Sequence, residues 1–287
     1  MKTQVVSEEI RKNLLEGVQR VICSSSSEEA FTVTGIETFR QHRHVRREIL
    51  FVLQGESSFL LNGKIYPALP GTVFLLNKWE SHCVEYRTDD HDLLHLWIYF
   101  SSTGASASLF YVGCRGEFWP LGRYIHFDRE FLYFINHRWD ILDKSTDSPT
   151  ISLMSSVINS LLEEFALRQF EQEHTSHYIG NDTDITVFLL NYIKTANGRN
   201  CSLEQLERLC GYSRFHMASL FKKRQGKTIG DYIAEVRLEF VEEAQRRGMK
   251  QKEIAGELGF ASPASFCYWL HHFRRRITRK AKSGAGC

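Results

Sequence analysis

The sequence predicts a multidomain α+β chain: a β-barrel or double-sheet body in front, a helical connecting stretch, and an all-α C-terminal third built from two helix-turn-helix units. Three observations carry that prediction. Between residues 31 and 100, short runs rich in Val, Ile, Phe, Tyr and Leu are punctuated by Gly55, Asn62-Gly63, Pro70-Gly71 and Asp89-Asp90, the pattern of many strands joined by tight turns. From Asp184 almost to the end the apolar residues recur at helical spacing instead. Charge follows the same division: 19 Lys and Arg against 10 Asp and Glu give Asp184 to Cys287 a net +9, and the rest of the chain carries −7.

A chain of 287 residues is long enough for two cores. A basic third on an acidic body points to a polyanion as partner of that third alone. The seven cysteines (Cys23, Cys83, Cys114, Cys201, Cys210, Cys267 and Cys287) are scattered and form no CxxC pair. That argues against a disulfide framework or a zinc finger and for a reducing compartment. With no secretory segment at the N-terminus and no apolar run near 18 residues, a soluble cytoplasmic protein without a membrane partner is expected.

In chain order, residues 1–30 offer a short amphipathic stretch (Ile10, Leu14, Leu15, Val18) and then a polar surface loop from Ser24 to Glu29. The predicted strands are FTVTGIETF, EILFVLQG, SSFLLNG, KIYPAL, GTVFLLN, HCVEYRT and DLLHLWIYF. Residues 101–125 read as a Gly- and Ser-rich loop with room for one more strand. Next comes a helix over FDREFLYFINHRWDILDK, capped by Asp128, with Phe131, Phe134, Ile135, Trp139 and Leu142 on one side. After Ser148-Pro149 a longer helix carries a broad stripe from Leu153 and Met154 through Val157, Ile158, Leu161, Leu162 and Phe165 to Leu167. That stripe either packs on the barrel or meets its copy in a second subunit. The polar run from His174 to Asp184 reads as a linker, which divides the chain into 1–125, 126–183 and 184–287.

Within the first part, His42, His44 and Glu48 share parity in HRHVRREILFVLQG, so on one extended strand their side chains point the same way. The segment fits HxHxxxExxxxxxG and resembles the first motif of the cupin family, with Pro70-Gly71 to His82 resembling a shortened second motif. The resemblance implies a cupin-like sensory barrel for 1–125, holding a small ligand near His42, His44, Glu48, His82 and the aromatic Trp97. In metal-binding cupins the ligands would be His42, His44, Glu48 and His82, a donor set suited to iron, manganese, nickel or zinc. Sensory cupins keep the same residues without a metal, and no cofactor is the expectation here. Arg43, Arg46 and Arg47 stand close enough in sequence to satisfy Glu48 instead.

The basic third opens with DITVFLLNYIKTANG, capped by Asp184 and ending at Gly198. LEQLERLCGYSRFHMASLFKK follows, two short helices broken at Gly211-Tyr212-Ser213. Gly226-Lys227-Thr228 leads into the long helix IGDYIAEVRLEFVEEAQRRG. A second pattern, KEIAGELGFASPASFCYWLHHF, turns at Gly259 with Ser262 as cap and Pro263 at the first helical position. Gly211 and Gly259 thus mark an imperfect internal repeat.

These last hundred residues resemble the AraC/XylS family of bacterial transcription regulators. The resemblance rests on GYSRFHMASLFKK from Gly211, Gly226, Tyr232-Ile233, Arg237-Leu238, Glu253-Ile254-Ala255 and LGFASPASF from Leu258. It implies a ligand-responsive, non-enzymatic regulator whose partners are double-stranded DNA, a small-molecule effector such as a sugar, a second copy of the chain and RNA polymerase. The alternative is a metal-dependent cupin enzyme with an accessory DNA-binding tail. Carried over, Phe215, Ala218 and Ser219 face base edges from the first unit, and Pro263, Ala264, Cys267 and Tyr268 from the second. Arg214, His216, Lys222, Lys223, His271, His272, Arg274, Arg275 and Arg276 would meet phosphates. Two departures stand out. Glu207 holds a position where the family prefers Ala, so the first turn is looser or Glu207 points outward. The tail HFRRRITRKAKSGAGC lacks the family's Gly and Thr-Pro, which leaves a closing helix or a disordered phosphate-binding arm.

Overall fold

A computed structural model describes residues 10–24, 26, 41–85, 93–100, 104–112, 118–127, 129–145, 147–170, 182–210 and 212–284. The chain divides into two compact units, Met1–Asn181 and Asp182–Cys287. Among the described residues of the first, a helix over residues 10–16 (α1) precedes nine strands. These are β1 Arg20–Ile22, β2 Glu48–Gln54, β3 Ser57–Leu61, β4 Lys64–Ala68, β5 Thr72–Leu76, β6 His82–Glu85, β7 Leu93–Phe100, β8 Ala105–Val112 and β9 Phe118–Phe127. They form a six-stranded sheet in the order β1-β5-β2-β7-β8-β9 and a three-stranded sheet in the order β4-β3-β6. Phe59 of the small sheet stacks on Phe74 of the large one with ring centroids 4.2 Å apart, so the two inner faces meet.

The double sheet matches the expected class, with two corrections. The segment 101–125 holds β8 and most of β9 rather than a loop with one strand. Small residues fit β8 because Ser108 lies opposite Trp97 and Ala107 opposite Ile98, where bulk comes from the partner strand. Pro120 is tolerated because β9 is an edge strand. β1, unread in the sequence, is held by parallel pairing to β5. The predicted strand FTVTGIETF lies outside the described residues, as do Asp128 and Gly211.

Two helices cover the outer face of the large sheet, α2 Arg129–Leu142 and α3 Ser148–Phe170. Their buried residues Ile135, Trp139, Ile158, Leu161, Leu162 and Phe165 join one core with Ile49, Phe51, Leu96 and Ile98. The α3 stripe therefore packs on the sheet, except Leu153 and Leu167, which are exposed; on α2, Phe134 is likewise exposed. Arg47 fixes α2 to the start of β2. Its guanidinium pairs with Asp140 at 2.6 Å and Asp143 at 2.9 Å, donates to Asn77 Oδ1 at 2.9 Å and lies over the Trp139 ring. Arg47 thus serves the helix, not Glu48.

The second unit is all helix: α4 Asp182–Thr195, α5 Leu203–Cys210, α6 Arg214–Gln225, α7 Ile229–Arg246, α8 Gln251–Glu257 and α9 Pro263–Gly284. Helix α4 starts two residues before the predicted Asp184. Gly198 adopts φ +71°, and a Cβ there would lie 2.8 Å from Arg237 Cγ, so glycine is required by both conformation and space. Arg237 of α7 donates to the Gly198 carbonyl at 3.0 Å and sits over the rings of Phe260 and Trp269. One side chain so ties the α4–α5 connection to the second helical pair. The Arg-rich tail is helical: α9 runs unbroken through Gly284, because the residues that would stop it, Gly and Pro, are absent from Phe273 to Ser283.

Candidate functional site

The two helical pairs of the second unit repeat one pattern of cap and buried positions. Ser213 caps α6, its hydroxyl accepting from the His216 N–H at 3.3 Å; Ser262 precedes α9 and accepts from the Ser265 N–H at 3.1 Å. Counting from each cap, the fourth residue is fully buried, Met217 in α6 and Phe266 in α9. The fourth residues of the preceding helices, Leu206 and Ile254, are buried as well. Gly259 turns the second pair at φ +74°, with the Phe260 N–H closing on the Ala255 carbonyl at 2.9 Å.

Burying the fourth residue turns the second and sixth outward together, since they lie four apart on one helical face. On α6 that face carries Phe215, 86% exposed, and Ser219; on α9 it carries Ala264 and Tyr268, 69% exposed. Pro263 is exposed beside them, whereas Ala218 and Cys267 are half-buried, and Cys267 Sγ donates to Gln251 Oε1 at 3.3 Å. Among the expected phosphate ligands, His216, Lys222, Lys223, His271, His272, Arg274 and Arg275 are exposed. His272 packs against Tyr268 with the rings tilted by 50°, and His216 stacks on Tyr212. The Arg276 side chain lies outside the described residues.

Arg214 is also exposed, its side chain 54% accessible, with the guanidinium 3.1 Å from Glu207 Oε2 and 3.4 Å from Glu204 Oε1 at the surface. Glu207, in the place of the usual small residue, points outward and also accepts from the Arg214 N–H at 3.4 Å, favourable at a helix N-terminus.

In the first unit, strand parity sorts the side chains. Leu94, Leu96, Ile98 and Phe100 of β7 face the helices. The opposite parity places His95, Trp97 and Tyr99 beside β2 and β8 in register: Tyr99 between Glu48 and Ser106, Trp97 between Leu50 and Ser108, His95 between Val52 and Phe110. All are buried, and Trp97 stacks on Tyr99 with centroids 6.1 Å apart. His95, Tyr99, Ser106 and Ser108 were not among the expected site residues. The alternation of aliphatic with polar or aromatic residues in LLHLWIYF was their available signal.

At one end of this face His42, His44 and His82 cluster, with ring centroids 4.5 to 4.9 Å apart. They do not share one strand with Glu48: His42 makes an isolated bridge to His82, residues 45–46 bend, and β2 begins at Glu48. The bend still brings His44 Nε2 to 3.5 Å and His82 Nε2 to 3.8 Å from Glu48 Oε2. The Trp79 N–H donates to the His44 carbonyl at 2.7 Å, and Trp79 itself holds the left-handed φ of +68°, a strained conformation for a bulky residue.

Burial holds His44 well below the usual imidazole range, helped by His42, His82 and Arg46, and lowers His82 to about 3. The same desolvation pushes Glu48 up to about 8 and His95 down to about 4. Both ring nitrogens of His44, Nε2 of His82 and Oε2 of Glu48 are buried without a hydrogen-bond partner among the described residues. The ligand atoms of His42, His44 and His82 lie within 4.8 Å of one another, beside the Glu48 carboxyl group, a grouping that could hold a divalent transition-metal ion.

Comparison with known proteins agrees with both halves. A family model described as a helix-turn-helix domain matches residues 206–279, and one described as an AraC-like ligand binding domain matches residues 34–109. The chain is 32% identical over 100 residues to the probable transcription factor PqrA of Proteus vulgaris, covering 33% of this chain and 82% of that protein. It is 20% identical over 234 residues to the uncharacterized HTH-type transcriptional regulator YbfI of Bacillus subtilis, covering 81% of this chain and 83% of that one. A crystal structure of unsaturated fatty acid bound ToxT from Vibrio cholerae aligns over 82% of this chain and 86% of that one, at 13% identity and a TM-score of 0.28.

A sheet-built ligand-binding domain joined to paired helix-turn-helix units defines a DNA-binding transcription regulator with an N-terminal ligand-binding domain. The chain belongs to the AraC/XylS family. Among the described residues no helix is long and apolar enough to cross a membrane.

His95 gives a pH test. Unfolded, it takes its proton near 6.5; folded, only near 4. The unfolded state therefore gains the proton first, so the stability owed to neutral His95 is full above about pH 6.5 and falls as pH drops towards 4, by roughly 3 kcal/mol. Glu48 runs the other way, its share full below about pH 4.5 and lost as pH rises through about 8. Urea denaturation across pH 4 to 7 should show a flatter pH dependence in His95→Phe than in the wild type; identical slopes would contradict the burial of a neutral His95.

Proposed function

We propose that this regulator is switched by a small polyhydroxy molecule of the sugar class, held on the inner face of the large sheet. The observation that carries the reading is the register of that face: Glu48, Tyr99 and Ser106 in one row and Trp97 and Ser108 in the next offer hydroxyl partners beside an aromatic ring. Trp97 supplies the stacking surface; Glu48 and the serines supply hydrogen bonds, with His42, His44 and His82 at the same end. The chain acts without turnover, in the cytoplasm, as a homodimer on double-stranded DNA, with RNA polymerase as the partner its output reaches. Exposed Tyr133, Phe134 and Ile141 on α2 and Leu153 and Leu167 on α3 support a second copy meeting this region.

On DNA, Arg214, Lys222, Lys223, His216, His271, His272, Arg274 and Arg275 meet phosphates, while Phe215, Ala218 and Ser219 and Pro263, Ala264, Cys267 and Tyr268 lie towards base edges. Effector binding changes regulation only by favouring one arrangement of the chain over another, so its affinity must differ between free and DNA-bound protein.

A second reading is favoured by the unpartnered buried atoms of His44, His82 and Glu48. In that case His42, His44, His82 and Glu48 would hold a divalent transition-metal ion, which would supply a Lewis-acidic anchor for an oxygen of the effector.

Thermal unfolding of the full chain against a panel of monosaccharides and polyols tests the first reading. At least one should raise Tm in the wild type and fail to do so in Ser108→Val, and a panel with no effect would contradict it. Elemental analysis of protein purified without chelator tests the second. About one ion per chain is expected, dropping sharply in His44→Ala and His82→Ala, and metal-free protein that takes up none on dialysis would contradict it.

A further inference from the structure

The chemistry of the two outward faces is one-sided. Direct reading of guanine needs Arg or Lys, and of adenine Asn or Gln, aimed in pairs of hydrogen bonds at the base edge. Within the first six residues of α6 the only such side chain is Arg214, the first residue, which lies off the face shared by Phe215 and Ser219 and is ion-paired at the surface with Glu204 and Glu207. Within the first six of α9 there is none: Pro263, Ala264, Ser265, Phe266, Cys267 and Tyr268. Ser265 is itself bonded to Ser262, and Cys267 donates to Gln251.

What the outward faces do offer is carbon. Large apolar side chains are seldom left in water, yet Phe215 is 86% and Tyr268 69% exposed. Relative to the two caps, Phe215 is the second residue of α6 and Tyr268 the sixth of α9. Each shares its face with a small residue at the other position, Ser219 and Ala264 respectively. A large aromatic beside a small residue gives each helix a shallow apolar step rather than a hydrogen-bonding fork. In the major groove only thymine presents an apolar group, its C5-methyl.

We infer that both units select DNA by contacting thymine C5-methyl groups, through Phe215 with Ser219 on α6 and Tyr268 with Ala264 on α9. The inference rests on the assignment of these faces to base edges. Tyr268 keeps its hydroxyl for a single hydrogen bond, and its ring is braced by His272 at 4.3 Å. Phe215 has no comparable brace among the described contacts and depends on its methyl partner for burial. The preferred sites therefore carry thymine beneath the first two turns of both helices, with no guanine required at the positions under Phe215 and Tyr268.

Sites are first selected by the full-length protein from random double-stranded DNA; thymines in the enriched sequence are then replaced one at a time by deoxyuridine, which removes only the methyl. Loss of one contacted methyl should weaken binding about 3- to 5-fold, the effect of one buried methyl-sized group. Replacement at thymines outside the two faces should change nothing. Phe215→Ala, an exposed position whose change leaves the core intact, should bind the thymine and deoxyuridine sites equally at its own base while still discriminating at the base under Tyr268. Equal affinity of wild-type protein for thymine and deoxyuridine at every position, or selected sites with guanine under both Phe215 and Tyr268, would overturn the methyl reading alone. No enrichment of any sequence would overturn the assignment of these faces to base edges, and the inference with it.

Discussion

Burial of the fourth residue of each second helix is the constraint on which the DNA-reading half depends. Met217 and Phe266 are fully buried, and Phe221 and Leu270 continue the same buried sides one turn later. Once that side of a helix is committed to the core, helical geometry leaves no choice about the opposite face. Serine caps fix where each helix starts, so the outward positions are set relative to the cap as well as to the core. Between the two pairs, α7 contributes buried residues along its length, and Arg237 links its side to Phe260 and Trp269. The two outward faces are therefore presented by one packed body.

The ligand-binding half solves a different problem. Every residue of β7 is buried, but only one parity of the strand is aliphatic. That parity packs against α2 and α3; the other brings Glu48, His95, Ser106 and Ser108 into the space between two sheets. Burying such groups is unfavourable, and the protein responds by keeping the imidazoles neutral and Glu48 protonated. The loop before β6 adds strain at Trp79 to hold His44 and His82 together. Stability is given up here in a place and manner that a purely structural sheet would avoid.

Much of this was legible in the chain. Caps at Ser213 and Ser262, the glycine turns, and the apolar period of α7 each have a local cause, and local causes are written in local sequence. The β2, β3, β4 and β5 runs were legible for the same reason, with Asn62-Gly63 making the β3–β4 turn at φ 49° and 82°. Pairing is not local. That Tyr99 lies beside both Glu48 and Ser106 depends on strand order, so Trp97 could be singled out as aromatic while His95 and the serines could not. β8 escaped because ASASLFYV has the small residues of a loop, and only bulk on the neighbouring strand makes them suitable. For the tail past Phe273 the sequence left a closing helix and a disordered arm both open, and the helix forms because every residue to Ser283 tolerates one.

The central claim is that α6 and α9 are two reading heads of one body, set to enter successive major grooves about one helical turn, roughly 34 Å, apart. Hydroxyl-radical footprinting of the full-length protein on a selected site tests it most directly. The account predicts, for each bound chain, two protected patches on one face of the duplex, separated by about 10 base pairs. A single protected patch per chain, or two on opposite faces, would contradict it.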